Sequence, residues 1–187
     1  MMRASRKPSE ASPQRIASLA KLPVFLDLAG KRAVVAGGTA AAAWKAELLA
    51  AAGARVAVYA AELCAEMQAL IERQSAAGHI AHIAAGWSND ALADAAVAVA
   101  DIEDEDEAAA FVAAARTAGV PANVIDKPAY CQFQFGSIVN RSPVVIGIST
   151  DGAAPILGQA IRRRIETLLP ASLAGWAALA KDIRDAV

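Results

Sequence analysis

A carboxylate, Asp126, closes a short apolar run and stands just before the turn pair Lys127-Pro128. At the carboxyl end of a strand in a parallel sheet, such a group can accept a proton as a general base, or hold a metal ion in transit. The plain alternative is a turn aspartate bonding the backbone ahead of it. Further on, Ser149, Thr150 and Gly152 form a small-residue loop between an apolar run and a helix. Its hydroxyls and amides suit an anionic group, and helix N-capping would use the same residues. Arg141 and the run Arg162, Arg163, Arg164 offer paired donors to carboxylates. Adjacent arginines on a helix point apart, so most of that run is expected on a solvated surface.

A second cluster follows the first strand-like apolar run. Gly37-Gly38-Thr39-Ala40-Ala41-Ala42 follows AVVA and leads into a helix. In a dinucleotide fingerprint the first glycine makes the tight turn, the second lets the backbone approach the pyrophosphate, and a third small residue permits helix–strand packing. Gly37 fits the first role and Ala42 the third. Thr39 stands at the second, where its β-carbon narrows the approach while its hydroxyl could meet a phosphate. The helix amides from Ala40 and Ala41 onward would face the phosphates. Glu62 lies just past Tyr59 and Ala61 at the end of the second apolar run, where a carboxylate can hold a ribose hydroxyl or cap the next helix.

Other polar residues carry less. His79 and His82 are spaced so that a strand would point them to opposite faces, which spoils a metal pair. The acidic run 101–107 reads as a solvated helix start. Cys131 has no evident base beside it and reads as a small buried residue.

The elements that must position these groups alternate in type. Apolar runs at 33–36, 55–60, 79–84, 95–100, 122–126 and 144–149 predict six strands, with helices over 40–52, 62–76 and from the acidic run to near Gly119. Strands separated by helices of that length predict an α/β fold, a Rossmann-like doubly wound parallel sheet. After Pro155 two helical stretches separated by Pro170 follow, a short segment for packing or dimerisation. The expected division is a disordered tail at 1–21, an NAD-binding domain at 22–150 and a helical segment at 151–187.

Composition sets the outer bounds. The chain has 187 residues, 56% of them hydrophobic, although alanine supplies much of that share. A formal charge of −1 argues against a nucleic-acid binder held by phosphate contacts. No run reaches the roughly 18 apolar residues that a membrane span needs. Two cysteines far apart in sequence, Cys64 and Cys131, point to a reducing cytoplasm rather than a disulfide framework.

The stretch 123–155, NVIDKPAYCQFQFGSIVNRSPVVIGISTDGAAP, resembles the siroheme-synthase N-terminal module, the precorrin-2 dehydrogenase/sirohydrochlorin ferrochelatase family. LPVFLDL at 22–28 and AGARVAVYAAE at 52–62 are similar to other parts of that module, so the resemblance covers about 22–179. It implies oxidation of precorrin-2 to sirohydrochlorin with NAD, and insertion of ferrous iron to give siroheme. It also implies that Asp126 serves the dehydrogenation and takes part in chelation, as a transient metal contact. The backbone at Ala40-Ala41 and Ala61-Glu62 matches the family's NAD contacts, and Thr150 falls where some members carry a phosphorylated serine. Three departures stand out: Thr39 for a glycine, Ile102-Glu103-Asp104 for the usual Thr-Asp-Asp, and an end near Val187, ahead of the family's full set of dimer helices.

The expectation is therefore a cytoplasmic, homodimeric, NAD-dependent precorrin-2 dehydrogenase. Gly37, Gly38, Thr39, Ala40, Ala41, Ala61 and Glu62 would hold NAD, and Arg141, Ser149, Thr150 and Gly152 the tetrapyrrole. Neither nucleic acid nor membrane is expected as a partner. The alternatives are a non-catalytic tetrapyrrole-binding or carrier protein with a degenerate NAD site, and a Rossmann-like oxidoreductase with another substrate.

Overall fold

The computed structural model describes residues 17–75 and 79–185. The tail expected at 1–21 lies mostly outside them. Two compact units divide the chain, one spanning Phe25–Phe135 and the other formed from the segments on either side of it.

Valine dominates the strands of the first unit. β1 (Arg32–Ala36), β2 (Arg55–Tyr59), β3 (Ile80–Ile83), β4 (Ala95–Ala100) and β5 (Ala122–Val124) form one parallel sheet in the order β3-β2-β1-β4-β5. Val34, Val35, Val58, Val99 and Val124 are wholly buried, as expected of strands covered on both faces. Helices α1 (Ala40–Ala51), α2 (Ala65–Ser75) and α3 (Glu105–Thr117) supply the crossovers. The strand order reverses between β1 and β4, and the crevice beyond their carboxyl ends is where this architecture binds ligands.

Alanine determines how closely α1 sits. Ala42, Ala43, Ala46 and Ala50 are buried, so the helix backbone approaches the sheet with only Leu49 adding bulk. On the opposite face Phe111 of α3 is fully buried and meets Trp87 edge-on, with ring centroids 5.1 Å apart. The acidic run does begin a helix. Asp104 caps α3 by accepting from the Glu107 amide at 2.7 Å, and Glu105, Asp106 and Glu107 fill the first turn, where carboxylates suit the helix dipole.

One expectation fails in the second unit. Residues 144–149 do form a strand, but not a sixth strand of the parallel sheet. β6 (Ser137–Arg141) and β7 (Val144–Ile148) pair antiparallel in a separate two-stranded sheet. The physical reason is the connection: only Ser142 and Pro143 part the two strands, a hairpin length, whereas a parallel neighbour needs a crossover of a dozen or more residues. α4 (Pro155–Leu168) and α5 (Leu173–Asp185) follow, as the sequence predicts.

Candidate active site

The carboxyl ends of β1, β4 and β5 carry Gly37, Asp101 and Asp126. Gly37 has φ +123°, a backbone that L side chains rarely adopt, and a β-carbon there would lie 3.1 Å from that of Asp101. Gly38 is held tighter, since a β-carbon would stand 2.0 Å from the Glu62 carbonyl oxygen. The loop is tied to the exit of β2 by two backbone bonds: the Gly37 amide donates to Tyr59 O at 2.9 Å, and the Cys64 amide to Gly38 O at 2.8 Å. Gly38 thus allows this loop to lie against Ala61-Glu62.

Thr39 caps α1. Its Oγ1 accepts from the Ala42 amide at 3.2 Å and donates to the Asp101 carboxylate. The hydroxyl is therefore occupied within the loop. Among the described residues, no acceptor meets the amides of Gly38, Thr39, Ala40 and Ala41. Four open donors at the start of a twelve-residue helix fit the pyrophosphate of a dinucleotide. Ala42, fully buried, gives the close helix–sheet contact. Glu62 does not cap α2: that place belongs to Cys64, whose sulfur accepts from the Met67 amide at 3.4 Å.

Asp126 follows β5 with φ +59°, a conformation that aspartate tolerates better than most residues. Its carboxylate is exposed and makes no hydrogen bond among the described residues, so the backbone-bonding turn aspartate is not what forms. Neighbouring Lys127 turns away to pair with Glu105 of α3. The chain after Asp126 makes a one-turn helix at Pro128–Tyr130 and then runs back along β5. Gln132 brackets Ala122, its amide donating to Ala122 O and its Oε1 accepting from Ala122 N, both at 2.9 Å. Buried Asn123 donates to Phe133 O at 2.9 Å and to Cys131 Sγ at 3.2 Å. This return brings Phe133 and Phe135 onto the core under α1.

Lys45 of α1, which the sequence reading passed over, belongs to this site. Its ammonium lies 4.4 Å from the centroid of the Phe135 ring and feels the charges of Asp126 and Cys131. A single cation in the alanine-rich AAAAWKAELL was the available signal.

Cys131, expected as a small buried residue, is only partly buried, and it is also hydrogen-bonded. Its single thiol hydrogen is shared between Val124 O at 3.1 Å and Lys127 O at 3.3 Å. Burial pushes the thiol above the usual cysteine range, partly offset by the Val124 bond and the Lys45 charge. The thiolate is the reactive form, so a raised thiol is less reactive at any pH below its own titration. Iodoacetamide at about pH 8 is expected to alkylate Cys131 more slowly than a free cysteine peptide, with the gap closing as pH rises. Equal rates, read by peptide mass spectrometry, would contradict this.

The residues expected to bind the tetrapyrrole lie in the second unit. Ser149 Oγ accepts from the Asp151 amide at 3.1 Å, and Thr150 O from the Ala153 amide at 3.0 Å, so the loop is a self-bonded turn. It does not cap α4, whose N-cap is Ala154 with Pro155 at the first position. Gly152 has φ +78° within it. Arg141 donates from Nε to Leu169 O and from Nη1 to Asn140 O, each at 2.9 Å. Arg162 bonds Gln159 and Glu166 on its own helix. His82 Nε2 lies 2.9 Å from Ala60 O, a structural role, and no group of three or more metal-ligating side chains occurs among the described residues.

The model of the family described as "Putative NAD(P)-binding" matches residues 24–137, more than half of the chain. The chain belongs to this NAD(P)-binding family. A siroheme synthase of Nitrosospira multiformis is 40% identical over 166 residues, covering 89% of this chain and 35% of that protein. Another, of Thiobacillus denitrificans, is 45% identical over 160 residues, covering 85% and 32%. The chain therefore spans about a third of the length of the curated relatives it matches. Among solved structures, SirC, a precorrin-2 dehydrogenase, superposes with a TM-score of 0.64 over 88% of this chain and 79% of its own, at 21% identity. That likeness establishes the shared fold. The expected kinship with the siroheme-synthase module and the Rossmann-like class are both borne out.

Proposed function

We propose that this NAD(P)-binding family member oxidises precorrin-2 to sirohydrochlorin with NAD. The observation that carries the reading is the Asp126 carboxylate, exposed and unbonded at the carboxyl edge of the sheet, in the same unit as the open amides of α1. The siroheme synthases that it resembles supply the substrate class.

The oxidation removes two hydrogens from the macrocycle, one as hydride and one as a proton. Bound NAD supplies the hydride acceptor. The amides of Gly38, Thr39, Ala40 and Ala41 would hold its pyrophosphate, Gly37 the tight turn beneath it, and Ala61-Glu62 its ribose edge. Asp126 takes the proton. Ser149, Thr150 and Gly152, with the remaining Nη2 of Arg141, are assigned to the substrate's carboxylates. Ferrous iron is a second substrate in this reading: passing by Asp126 to the macrocycle nitrogens of sirohydrochlorin, it would replace their two N–H hydrogens, which leave as protons to solvent, and depart with the product.

A homodimer in the cytoplasm completes the proposal. Ile156 (83% exposed), Leu168 (72%), Trp176 (69%) and Ile183 leave apolar side chains of α4 and α5 in the open, which supports burial against a second copy through the 151–187 segment. Both cysteines are free thiols, and no described helix is long and apolar enough to cross a membrane. Sedimentation equilibrium is expected to give twice the chain mass; a monomer at micromolar concentration would contradict the dimer.

A carrier without catalysis is the second reading, favoured by one observation. The Asp101 carboxylate sits on the Thr39 hydroxyl at the mouth of the dinucleotide loop, where its charge opposes a phosphate. Anaerobic incubation of the protein with precorrin-2, with and without NAD, separates the two. Sirohydrochlorin appearing only with NAD supports the dehydrogenase. Tight tetrapyrrole binding without turnover would replace it with the carrier.

A further inference from the structure

Lys45 occupies the second turn of α1, between exposed Trp44 and buried Ala46, and is itself half buried. Its ammonium rests over the Phe135 ring, an arrangement that fixes a cation without neutralising it. Among the described residues it joins no ion pair and donates no hydrogen bond. Burial holds it below the usual lysine range, while Asp126 and then Cys131 oppose that shift. A partly desolvated ammonium with three donors uncommitted to the protein is available to an anionic ligand.

We infer that Lys45 binds a side-chain carboxylate of the tetrapyrrole beside Asp126. This rests on the function proposed above. A polycarboxylate substrate approaching Asp126 meets a like charge, and Lys45 is a cation within electrostatic range of that carboxylate, able to offset it. The dinucleotide phosphates are served by the amides of residues 38–41, a turn earlier on the same helix. Lys45 instead rests over Phe135, within reach of the charges of Asp126 and Cys131, so its ligand is assigned to the substrate.

The test is an anaerobic titration of the full chain with sirohydrochlorin, followed by absorbance, alongside a separate titration with NAD. Lys45→Met is expected to weaken tetrapyrrole binding about 10- to 100-fold, the range for a hydrogen bond to a charged group, and to leave NAD affinity unchanged. Lys45→Arg should recover most of the loss. Wild-type tetrapyrrole affinity in Lys45→Met would overturn the inference while leaving the functional reading standing. A wild-type protein that binds no sirohydrochlorin would remove the functional reading, and this inference with it. Should Lys45→Met fail to fold, acetic anhydride labelling of the wild-type chain reads the same contact. Sirohydrochlorin should then protect Lys45 and not exposed Lys31. Equal acetylation of Lys45 with and without the tetrapyrrole would overturn the inference.

Discussion

Asp126→Asn is expected to lower the turnover of precorrin-2 about 10²- to 10⁴-fold, the usual contribution of a positioned proton acceptor. Asparagine preserves the shape and tolerates the positive φ at this position, so β5 and its return segment should fold as before. What disappears is the charge and the ability to take a proton. NAD affinity should stay within about twofold, because the dinucleotide is held by amides at residues 38–41 rather than by this carboxylate. Matched steady-state and binding measurements on the two proteins check this. Turnover near wild type would remove Asp126 from the chemistry. A parallel loss of NAD binding would mean that the residue supports the fold of the site instead.

Gly38→Ala should damage both stability and cofactor binding. The new methyl would stand 2.0 Å from the Glu62 carbonyl oxygen and 3.1 Å from the Ala60 β-carbon. Backbone, not a flexible side-chain tip, occupies that space, and the bonds from Gly37 to Tyr59 and from Cys64 to Gly38 keep it from retreating. Overpacking of this kind costs about 3 kcal/mol at its upper end. For a chain of this size that corresponds to a fall in Tm of about 6–12 °C. NAD affinity should fall as well, since displacing the loop misaligns the amides that follow. A variant that melts within about 1 °C of wild type would show that the contact at Glu62 relaxes freely.

Much of the first unit was legible in the sequence because its signals are local and redundant. Valine-rich runs mark β1, β2 and β4 closely, the acidic run marks the start of α3, and Gly53 follows α1 as expected. What sequence pattern could not supply was pairing. The run at 144–149 looks like any other buried strand, and only the two-residue connection to an unrecognised β6 makes it half of a hairpin. Side-chain commitments were equally hidden. Arg141 reads as a carboxylate binder, yet two of its nitrogens hold the carbonyls of Leu169 and Asn140. Ser149 reads as a helix cap, and it bonds a turn two residues on. Lys45 goes unnoticed in the sequence, because its partner ring lies 90 positions away and is delivered by the fold-back along β5. Thr39 was recognised as a departure, but the Asp101 carboxylate that occupies its hydroxyl comes from a different strand end.

The most direct measurement of the central claim is stoichiometric: an anaerobic reaction of precorrin-2 with the purified protein and NAD, quantifying sirohydrochlorin and NADH together. The account predicts equal amounts of the two, formed at the same rate. Sirohydrochlorin formed without NADH, or no product from a protein that binds both ligands, would contradict it.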